Sequence, residues 1–435
     1  MAFFGPFFWV IILLGIMILV HEAGHFWAAL SVGIQVETFS IGFGPRLFGF
    51  RRGTTDFRIS AIPFGGYVRM LGDQPGDENA SNPKSFLAKA RWQRAIVIIA
   101  GPLMNVLLAI ALVTGLYMHG FLKEVPSPDA VISSVAPGSA AALAGLQPGD
   151  RIVQLGEKRN PSWQDVTTEE TLNANHALPV VVKRDGQELH LSVTPRMDPK
   201  DGIGVAGWRG DVQVNEVAKG SPAAAAGMKA GDLFISVNGQ PVESILTVKQ
   251  AITRSGGKPI ELELMRNGQL QKVTVTPVAG DSPKLPWRIG ILFRSPVQMV
   301  KLPFFAALDE SLSFNRQNAT MIFEVLRSIL VHRVSPKALT GPVGISEMAN
   351  AAAQEGPSSF IGLMAMVSLN LAIFNLLPIP ILDGGTLLLL LIEMLLQREV
   401  SLQVKETVFK LGFVFLMMVV VFVIYNDISR ILTRG

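Results

Sequence analysis

The feature that most constrains the fold is a set of long apolar stretches at the two ends of the sequence. Residues 1–20, 95–118, 360–382 and 411–425 contain no charged side chain. About 20 apolar residues are enough for a membrane-spanning helix. The last stretch reaches that length if residues 407–410 join it, with Lys410 extending its amine toward the interface. The sequence therefore predicts a multi-pass α-helical membrane protein with four transmembrane helices.

The first stretch has an alternative interpretation as a cleaved signal peptide. Signal peptides begin with basic residues and end at a small-residue cleavage site. Residues 1–20 contain no Lys or Arg, and the polar sequence HEAGH (residues 21–25) follows them directly. These features favour a membrane span.

Charge predicts the orientation and limits the partners. Residues 29–94 carry nine Lys or Arg against five Asp or Glu, and the positive-inside rule places such a loop in the cytoplasm. Both termini and the large middle region then lie outside. The net charge is only +4 and no long basic run is present, so a nucleic-acid partner is not supported. The absence of cysteine excludes disulfides and cysteine zinc sites.

The middle of the chain contains an internal repeat. Residues 135–150 (VAPGSAAALAGLQPGD) and 217–232 (VAKGSPAAAAGMKAGD) lie 82 residues apart, and similar strand-like and helical segments follow each copy. Asp185–Gly186 and Asn267–Gly268 are typical hairpin turns. The pattern resembles the PDZ domain of bacterial proteases. We therefore expect two tandem PDZ-like α+β domains outside the cytoplasm, over residues 121–198 and 199–280.

Two roles are open for these domains. PDZ domains typically bind an extended peptide as an added strand. A purely steric role is the alternative, because the sequence shows no clear carboxylate-binding loop.

Residues 281–350 are predicted to form an amphipathic helical region. One helical face collects apolar residues, namely Ile322, Val325, Leu326, Ile329 and Leu330. We expect this region either to lie along the membrane surface or to pack on the PDZ pair.

HEAGH has the spacing of a zinc hydrolase motif. Residues four apart share one face of a helix, so His21 and His25 can present two imidazoles to one metal ion. Glu22 is placed to take a proton from an attacking water. Such polar residues are costly in an apolar helix unless they have a partner or a water-filled cavity, which favours a metal site.

A catalytic zinc site normally has three protein ligands, and Asp383 is the best candidate for the third. It lies in NLLPIPILDGG (residues 375–385), within an apolar segment where a carboxylate needs a cation or a shifted pKa. The alternative is a turn aspartate. Gly101 and Asn105 lie four apart in AGPLMNVLLA, which predicts helix packing, with Asn105 also able to face the polar cavity.

Together these motifs resemble the site-2 protease family of intramembrane metalloproteases. The resemblance rests on HEAGH, SIGFGPRLF, PFGGYVRM, AGPLMNVLLA, TGPVGIS and NLLPIPILDGG, and it covers nearly the whole chain. It implies one Zn²⁺ per chain, with His21, His25 and Asp383 as ligands and Glu22 as general base. HEAGH then belongs to residues 1–118 with the first two transmembrane helices, and LDGG to residues 358–435 with the last two.

The resemblance also implies substrate-handling positions. Asn375, Pro378 and Pro380 match positions of this kind. Residues 36–70, within the loop 29–92, match a membrane-associated β-structured loop. Gly65, Gly66, Tyr67 and Val68 lie in its most recognisable strand. An edge of that strand could pair with a substrate helix that has unwound for cleavage.

The resemblance implies an intramembrane endopeptidase in the bacterial inner membrane. Its substrates would be single-span proteins such as an anti-sigma factor already shortened by a periplasmic protease, and also remnant signal peptides. A non-enzymatic PDZ scaffold and a metal transporter are the competing interpretations. A scaffold does not require HExxH with a membrane aspartate, and a transporter normally places several ligand sets along a path.

Overall fold

The computed structural model describes residues 4–73, 78–79, 81–124, 130–199, 201–210, 214–242, 245–266, 269–282, 285–293 and 297–432. The chain divides into two compact units. The helical unit comprises Met1–Phe121, Val300–Phe323 and Leu339–Gly435, and the repeat unit comprises Leu122–Met299 and Glu324–Ala338.

The helices of the described residues differ greatly in length. They are α1 (Phe4–Ser31), α2 (Arg91–His119), α3 (Ala140–Leu143), α4 (Trp163–Leu172), α5 (Pro222–Ala225), α6 (Ile245–Arg254), α7 (Phe304–Leu330), α8 (Pro342–Glu355), α9 (Pro357–Asn375), α10 (Asp383–Leu396) and α11 (Leu402–Leu432). Within the described ranges, four segments are long and apolar enough to cross a membrane, and they lie in α1, α2, α9 and α11. This agrees with the four predicted spans.

The strands are short except in one hairpin. They are β1 (Val36–Arg52), β2 (Thr55–Met70), β3 (Phe121–Glu124), β4 (Ala130–Val131), β5 (Ser134–Val135), β6 (Arg151–Leu155), β7 (Lys158–Arg159), β8 (Leu178–Arg184), β9 (Gln187–Val193), β10 (Arg196–Met197), β11 (Gly204–Val205), β12 (Trp208–Arg209), β13 (Val214–Val217), β14 (Leu233–Val237), β15 (Gln240–Pro241), β16 (Ile260–Arg266), β17 (Gln269–Val275), β18 (Val278–Ser282), β19 (Leu285–Arg288), β20 (Ile291–Phe293) and β21 (Val297–Val300).

The hairpin β1–β2 fills the predicted β-structured loop from Val36 to Met70. Its pairing is unusual, because the start of β1 pairs on both sides. Thr38 pairs with both Asp56 and Arg69, and Ile41 pairs with both Ile59 and Gly66. β2 therefore wraps around β1, and its last residues form an outer strand of a small folded sheet.

The third predicted span ends earlier than the sequence indicated. Residues 360–382 were expected to form one apolar run, but α9 ends at Asn375 and α10 begins at Asp383. Pro378 and Pro380 explain the break, because proline cannot donate the helical hydrogen bond and disfavours helix in the residue before it. The predicted region 358–435 thus holds three helices, and α10, with 14 residues, is shorter than a span.

The first part of helix α7 packs in a way that neither alternative predicts, whereas its last residues, from Glu324, belong to the repeat unit. In the helical unit, Ala307 is buried beside Val113 and Tyr117 of α2. The Ser311 hydroxyl donates a hydrogen bond to the Ile110 carbonyl at 2.9 Å. Further along, Ile322 packs against a buried cluster that contains Ile373 of α9. The first part of α7 therefore joins the helix bundle through α2 and α9.

The repeat unit contains two copies of one arrangement. In the first copy β6 pairs with β8 and β8 with β9; in the second, β14 pairs with β16 and β16 with β17. The predicted turn at Asp185–Gly186 joins β8 to β9, and Asn267–Gly268 lies outside the described residues. In each copy a buried aspartate binds an arginine at 2.6 Å, Asp150 to Arg184 and Asp232 to Arg266.

Each copy extends beyond its predicted boundary. Trp208 is 1% exposed in the core of the first copy, although the predicted limit was residue 198. Ile289 belongs to the core of the second copy, beyond residue 280. The reason is that a late strand returns to pair with the first residues of each copy, β12 with β5 and β20 with β13. Propensity does not indicate such a long-range pairing.

Candidate metal centre

Helices α1 and α2 approach closely at the histidines because glycines face each other at their crossing. A Cβ on Gly24 would lie 2.3 Å from the Ala100 carbonyl oxygen. A Cβ on Gly101 would lie 2.3 Å from His25 Nε2 and 2.9 Å from His21 Nε2. The glycine of HEAGH and the glycine of AGPL thus leave the imidazoles room between the helices. Gly101 contacts the site directly, beyond the helix packing predicted for it.

The start of α10 brings Asp383 to the same place. The connector 376–382 folds back over the first turn of α10. A Cβ on Gly384 would lie 2.3 Å from the Leu376 carbonyl oxygen, and one on Gly385 would lie 2.2 Å from that of Ile379. The two glycines after Asp383 therefore allow the sharp entry that turns the carboxylate toward α1.

The three side chains form a compact set of candidate metal ligands. Asp383 Oδ2 lies 3.1 Å from His21 Nε2, and Asp383 Oδ1 lies 3.6 Å from His25 Nε2. The two Nε2 atoms are 3.1 Å apart. Within the described residues, this is the group of three metal-binding side chains with ligand atoms close enough to share one ion.

This geometry fits zinc. Tetrahedral zinc with bonds of about 2.0–2.2 Å places its ligand atoms roughly 3.3–3.6 Å apart, close to the separations between these three side chains. Asp383 Oδ2 is buried and, among the described residues, accepts no hydrogen bond. Two imidazole nitrogens and one carboxylate are also the donor types of catalytic zinc sites, which keep a fourth position for water.

His25 is oriented by a backbone group. Its Nδ1–H donates a hydrogen bond to the Val97 carbonyl at 2.8 Å, which leaves Nε2 with a lone pair directed at Asp383. Sequence reasoning missed Val97, because a backbone acceptor leaves no signal in the side-chain pattern. His21 has a different neighbour, since its Nδ1 lies 3.4 Å from Nδ2 of Asn105.

Glu22 and the outer strand of the hairpin lie side by side. Glu22 is half-buried and close enough to interact electrostatically with His21, His25 and Asp383. A Cβ on Gly66 would lie 3.1 Å from Glu22 Cγ, and the backbone of Val68 also faces Glu22. On the other side, Gly66 and its neighbours pair with residues 39–41 of β1. The predicted strand of Gly65, Gly66, Tyr67 and Val68 therefore passes the general-base candidate.

Asn375, Pro378 and Pro380 lie along the route from α9 to Asp383. Asn375 is the last residue of α9, and the two prolines lie in the connector. Pro380 contacts α11, where a Cβ on Gly412 would lie 2.3 Å from the Pro380 Cβ. Ile381 has φ = 88°, a conformation in which a β-branched residue is strained. The connector is thus held in a restricted shape immediately before Asp383.

Comparison with known proteins also indicates a metalloprotease. The model of "Peptidase family M50" matches residues 9–419. A putative zinc metalloprotease of Vibrio cholerae is 31% identical over 97% of this chain and 98% of its own length. The regulator of sigma-E protease RseP of Salmonella typhimurium is 32% identical, and that of Escherichia coli 31%, each over 97% of this chain and 98% of its own length.

Two solved structures match a small part of the chain. They are PDZ domains of SdrC-like proteins from Listeria monocytogenes and Listeria innocua, 22% and 25% identical, and each covers 19% of this chain with a TM-score of 0.18. The matched regions make up 87% of the Listeria monocytogenes chain and 93% of the Listeria innocua chain.

The whole-chain matches exclude the scaffold and transporter interpretations. The relatives match over almost their entire length, and each is named as a protease, either a zinc metalloprotease or a regulator of sigma-E protease. The family model spans both HEAGH and the LDGG segment. This metalloprotease therefore belongs to peptidase family M50, the site-2 protease family.

Proposed function

We propose that the chain is an intramembrane zinc endopeptidase that cuts single-span membrane proteins. The observation that carries the proposal is the meeting of His21, His25 and Asp383 between helices of membrane-spanning length. His21 and His25 would bind one zinc ion through Nε2, and Asp383 would bind it through its carboxylate. Bound zinc supplies Lewis-acid chemistry that acidifies water and polarises a peptide carbonyl.

Glu22 is the proposed general base. It is half-buried and near all three ligands, in the position from which a carboxylate can take the proton of an attacking water. The same group would then deliver that proton to the leaving amide nitrogen. Asp383 and the histidines hold their positions through the glycine contacts and the Val97 hydrogen bond described above.

The outer strand of the hairpin is the proposed binding site for the unwound substrate. A helix hides its carbonyls in hydrogen bonds, and freeing them in lipid costs several kcal/mol for each unsatisfied group. Residues 65–68 lie beside Glu22 and pair with β1 on one side. Among the described residues no strand pairs with their other side, so substrate backbone could add there as a strand. Asn375, Pro378 and Pro380 would line the same approach.

The proposed location is the bacterial inner membrane, with the hairpin loop in the cytoplasm and the repeats and both termini in the periplasm. The charge of the loop supports this orientation. Exposed Phe48 and Phe50 on the hairpin suit contact with a membrane surface. The proposed substrates are an anti-sigma factor already trimmed in the periplasm and remnant signal peptides. Relatives named as regulators of sigma-E support a link to sigma-factor control. The PDZ-like repeats would bind a peptide or exclude untrimmed substrates by size.

Replacing Glu22 by Gln tests the mechanism. Glu22→Gln keeps the size and polarity of the side chain but removes the base, so we expect zinc binding to persist and cleavage to be lost. The measurement is cleavage of a purified single-span protein by reconstituted enzyme, together with metal analysis. We expect one zinc ion per chain in both proteins. Cleavage by the variant would disprove the role of Glu22, and absence of zinc from the wild type would disprove the metal site.

A further inference from the structure

Asn105 is buried in a way that packing alone does not explain. Its side chain is fully buried in α2, and among the described residues its Oδ1 atom has no hydrogen-bond partner. Its Nδ2 atom lies 3.4 Å from Nδ1 of His21. An unsatisfied buried carbonyl oxygen costs on the order of 1–3 kcal/mol, so a partner for this oxygen is expected.

The chemistry of His21 defines what that partner is. If Nε2 binds a metal, it must carry a lone pair, and the proton of the neutral ring is then on Nδ1. An Nδ1–H group needs an acceptor, and the amide nitrogen of Asn105 is a donor. The oxygen and nitrogen of a carboxamide exchange places when the amide turns by half a revolution. After that turn Oδ1 accepts from Nδ1–H, and the NH2 group takes the place that the oxygen had occupied.

We propose that Asn105 is a positioning residue that fixes the tautomer and ring orientation of His21 by accepting the Nδ1–H hydrogen bond. The proposal rests on the proposed zinc site. In this arrangement the Nδ1–H group of each histidine donates one hydrogen bond, but the two acceptors differ in kind. His25 donates to the backbone carbonyl of Val97, which no substitution removes, whereas His21 depends on one side chain.

The neighbouring helix holds Asn105 in place. The hydroxyl of Ser368 in α9 is fully buried and donates a hydrogen bond to the Asn105 backbone carbonyl at 2.9 Å. This bond joins α2 to α9 without touching the carboxamide. Ser368 therefore offers a control for the effect of weakening helix packing at the same level.

The test compares substitutions that keep or remove the acceptor. Asn105→Asp keeps an acceptor and loses the donor, and Asn105→Leu keeps the volume and loses both. The zinc dissociation constant is measured by competition with a chelator, on full-length protein in detergent that also carries Glu22→Gln to prevent self-cleavage. Losing an outer hydrogen bond to a metal ligand weakens binding about 10–100-fold. We expect that loss for Asn105→Leu, and binding close to that of the parent for Asn105→Asp and for Ser368→Ala.

Three results would overturn the proposal. Asn105→Leu could bind zinc as tightly as the parent, Asn105→Asp could bind as weakly as Asn105→Leu, or Ser368→Ala could lose as much affinity as Asn105→Leu. If Asn105→Leu does not fold, Asn105→Ala replaces it, with the same expected loss. A parent protein that binds no zinc would instead refute the proposed function itself, which keeps the two failures distinct.

Discussion

At the scale of single residues, Gly101 shows how little space the site leaves. A methyl group there would overlap both imidazole nitrogens, whereas a Cβ on Gly115 of the same helix has nothing within 4 Å. We expect Gly101→Ala to lower zinc affinity at least 10-fold, since displaced ligands bind poorly. Gly115→Ala should leave zinc affinity unchanged and favour the helix by about 1 kcal/mol. Chelator competition on both variants measures this, and equal affinities would contradict the close approach.

Glu170 is a buried acid outside the site. Its carboxylate accepts hydrogen bonds from the Ala206 backbone and from Trp208 Nε1, the latter at 2.9 Å. Burial nevertheless raises the pKa of Glu170 above its ordinary value. The folded state therefore holds this proton more tightly than the unfolded state does. As the pH rises from the ordinary pKa through the raised one, the first repeat should lose stability.

Glu170→Gln should remove that pH dependence. Hydrogen exchange of residues 204–210 in the full chain, corrected for the intrinsic rate, reports the local stability of the repeat. We expect protection in the wild type to fall with rising pH relative to Glu170→Gln. Parallel pH profiles of the two proteins would contradict a raised pKa.

The sequence indicates the proposed ligand residues but not the groups that support them. His21, Glu22 and His25 are recognisable because helical spacing puts them together. Asp383 is recognisable because a carboxylate in an apolar segment needs a cation or a shifted pKa. The role of Val97 depends on a crossing 72 residues away, and that of Asn105 on an imidazole tautomer. Neither is encoded in local pattern.

At the scale of elements, Asp427 connects two helices by capping one of them. Its carboxylate on α11 accepts hydrogen bonds from the backbone N–H groups of Gly341, Val343 and Gly344, at 3.0–3.1 Å. The first turn of α8 has no side-chain cap of its own. The glycines of TGPVGIS leave room, since a Cβ on Gly341 would lie 2.7 Å from Asp427 Oδ2. This explains a motif that the sequence alone did not assign.

Asp427→Ala should therefore destabilise the helical unit. The substitution leaves three N–H groups without their acceptor, at a cost on the order of 1–3 kcal/mol. Glu406→Ala on the same helix is the control, because its ion pair with Lys410 is exposed and should change stability by less than about 0.5 kcal/mol. Thermal unfolding in detergent compares the two, and equal losses would contradict the cap.

Two opposing signals in the sequence bear on the break between α9 and α10. Pro378 and Pro380 are strong signals for the end of a helix, yet the absence of charge over residues 360–382 favoured a single span. Apolar composition reports the surroundings of a segment, not the continuity of its helix. The pairing of β1 with both halves of β2 lay beyond prediction, because it requires two bends within one hairpin.

At the scale of the whole chain, the cores of the two repeats reach beyond the limits that the sequence pattern indicates. The buried aspartates of the two GD sequences have the same role, each holding an arginine and a backbone N–H. Trp208 and Ile289 close their cores from beyond the predicted limits. A domain whose last strand pairs with one near its start cannot be delimited by where its local pattern ends.

The proposed ligand set also joins an early and a late segment of the chain. His21 and His25 lie in α1 and Asp383 opens α10, so a bound ion would act as a clip between segments that the backbone links only through the whole repeat unit. An ion that binds the folded state alone stabilises it by about 2.7 kcal/mol at a hundredfold excess over its dissociation constant. We expect zinc to raise the melting temperature of the wild type and to leave that of Asp383→Asn unchanged. Equal melting temperatures of the wild type with zinc and with chelator would exclude the clip. Loss of the metal would thus remove catalytic activity and also lower the stability of the folded state.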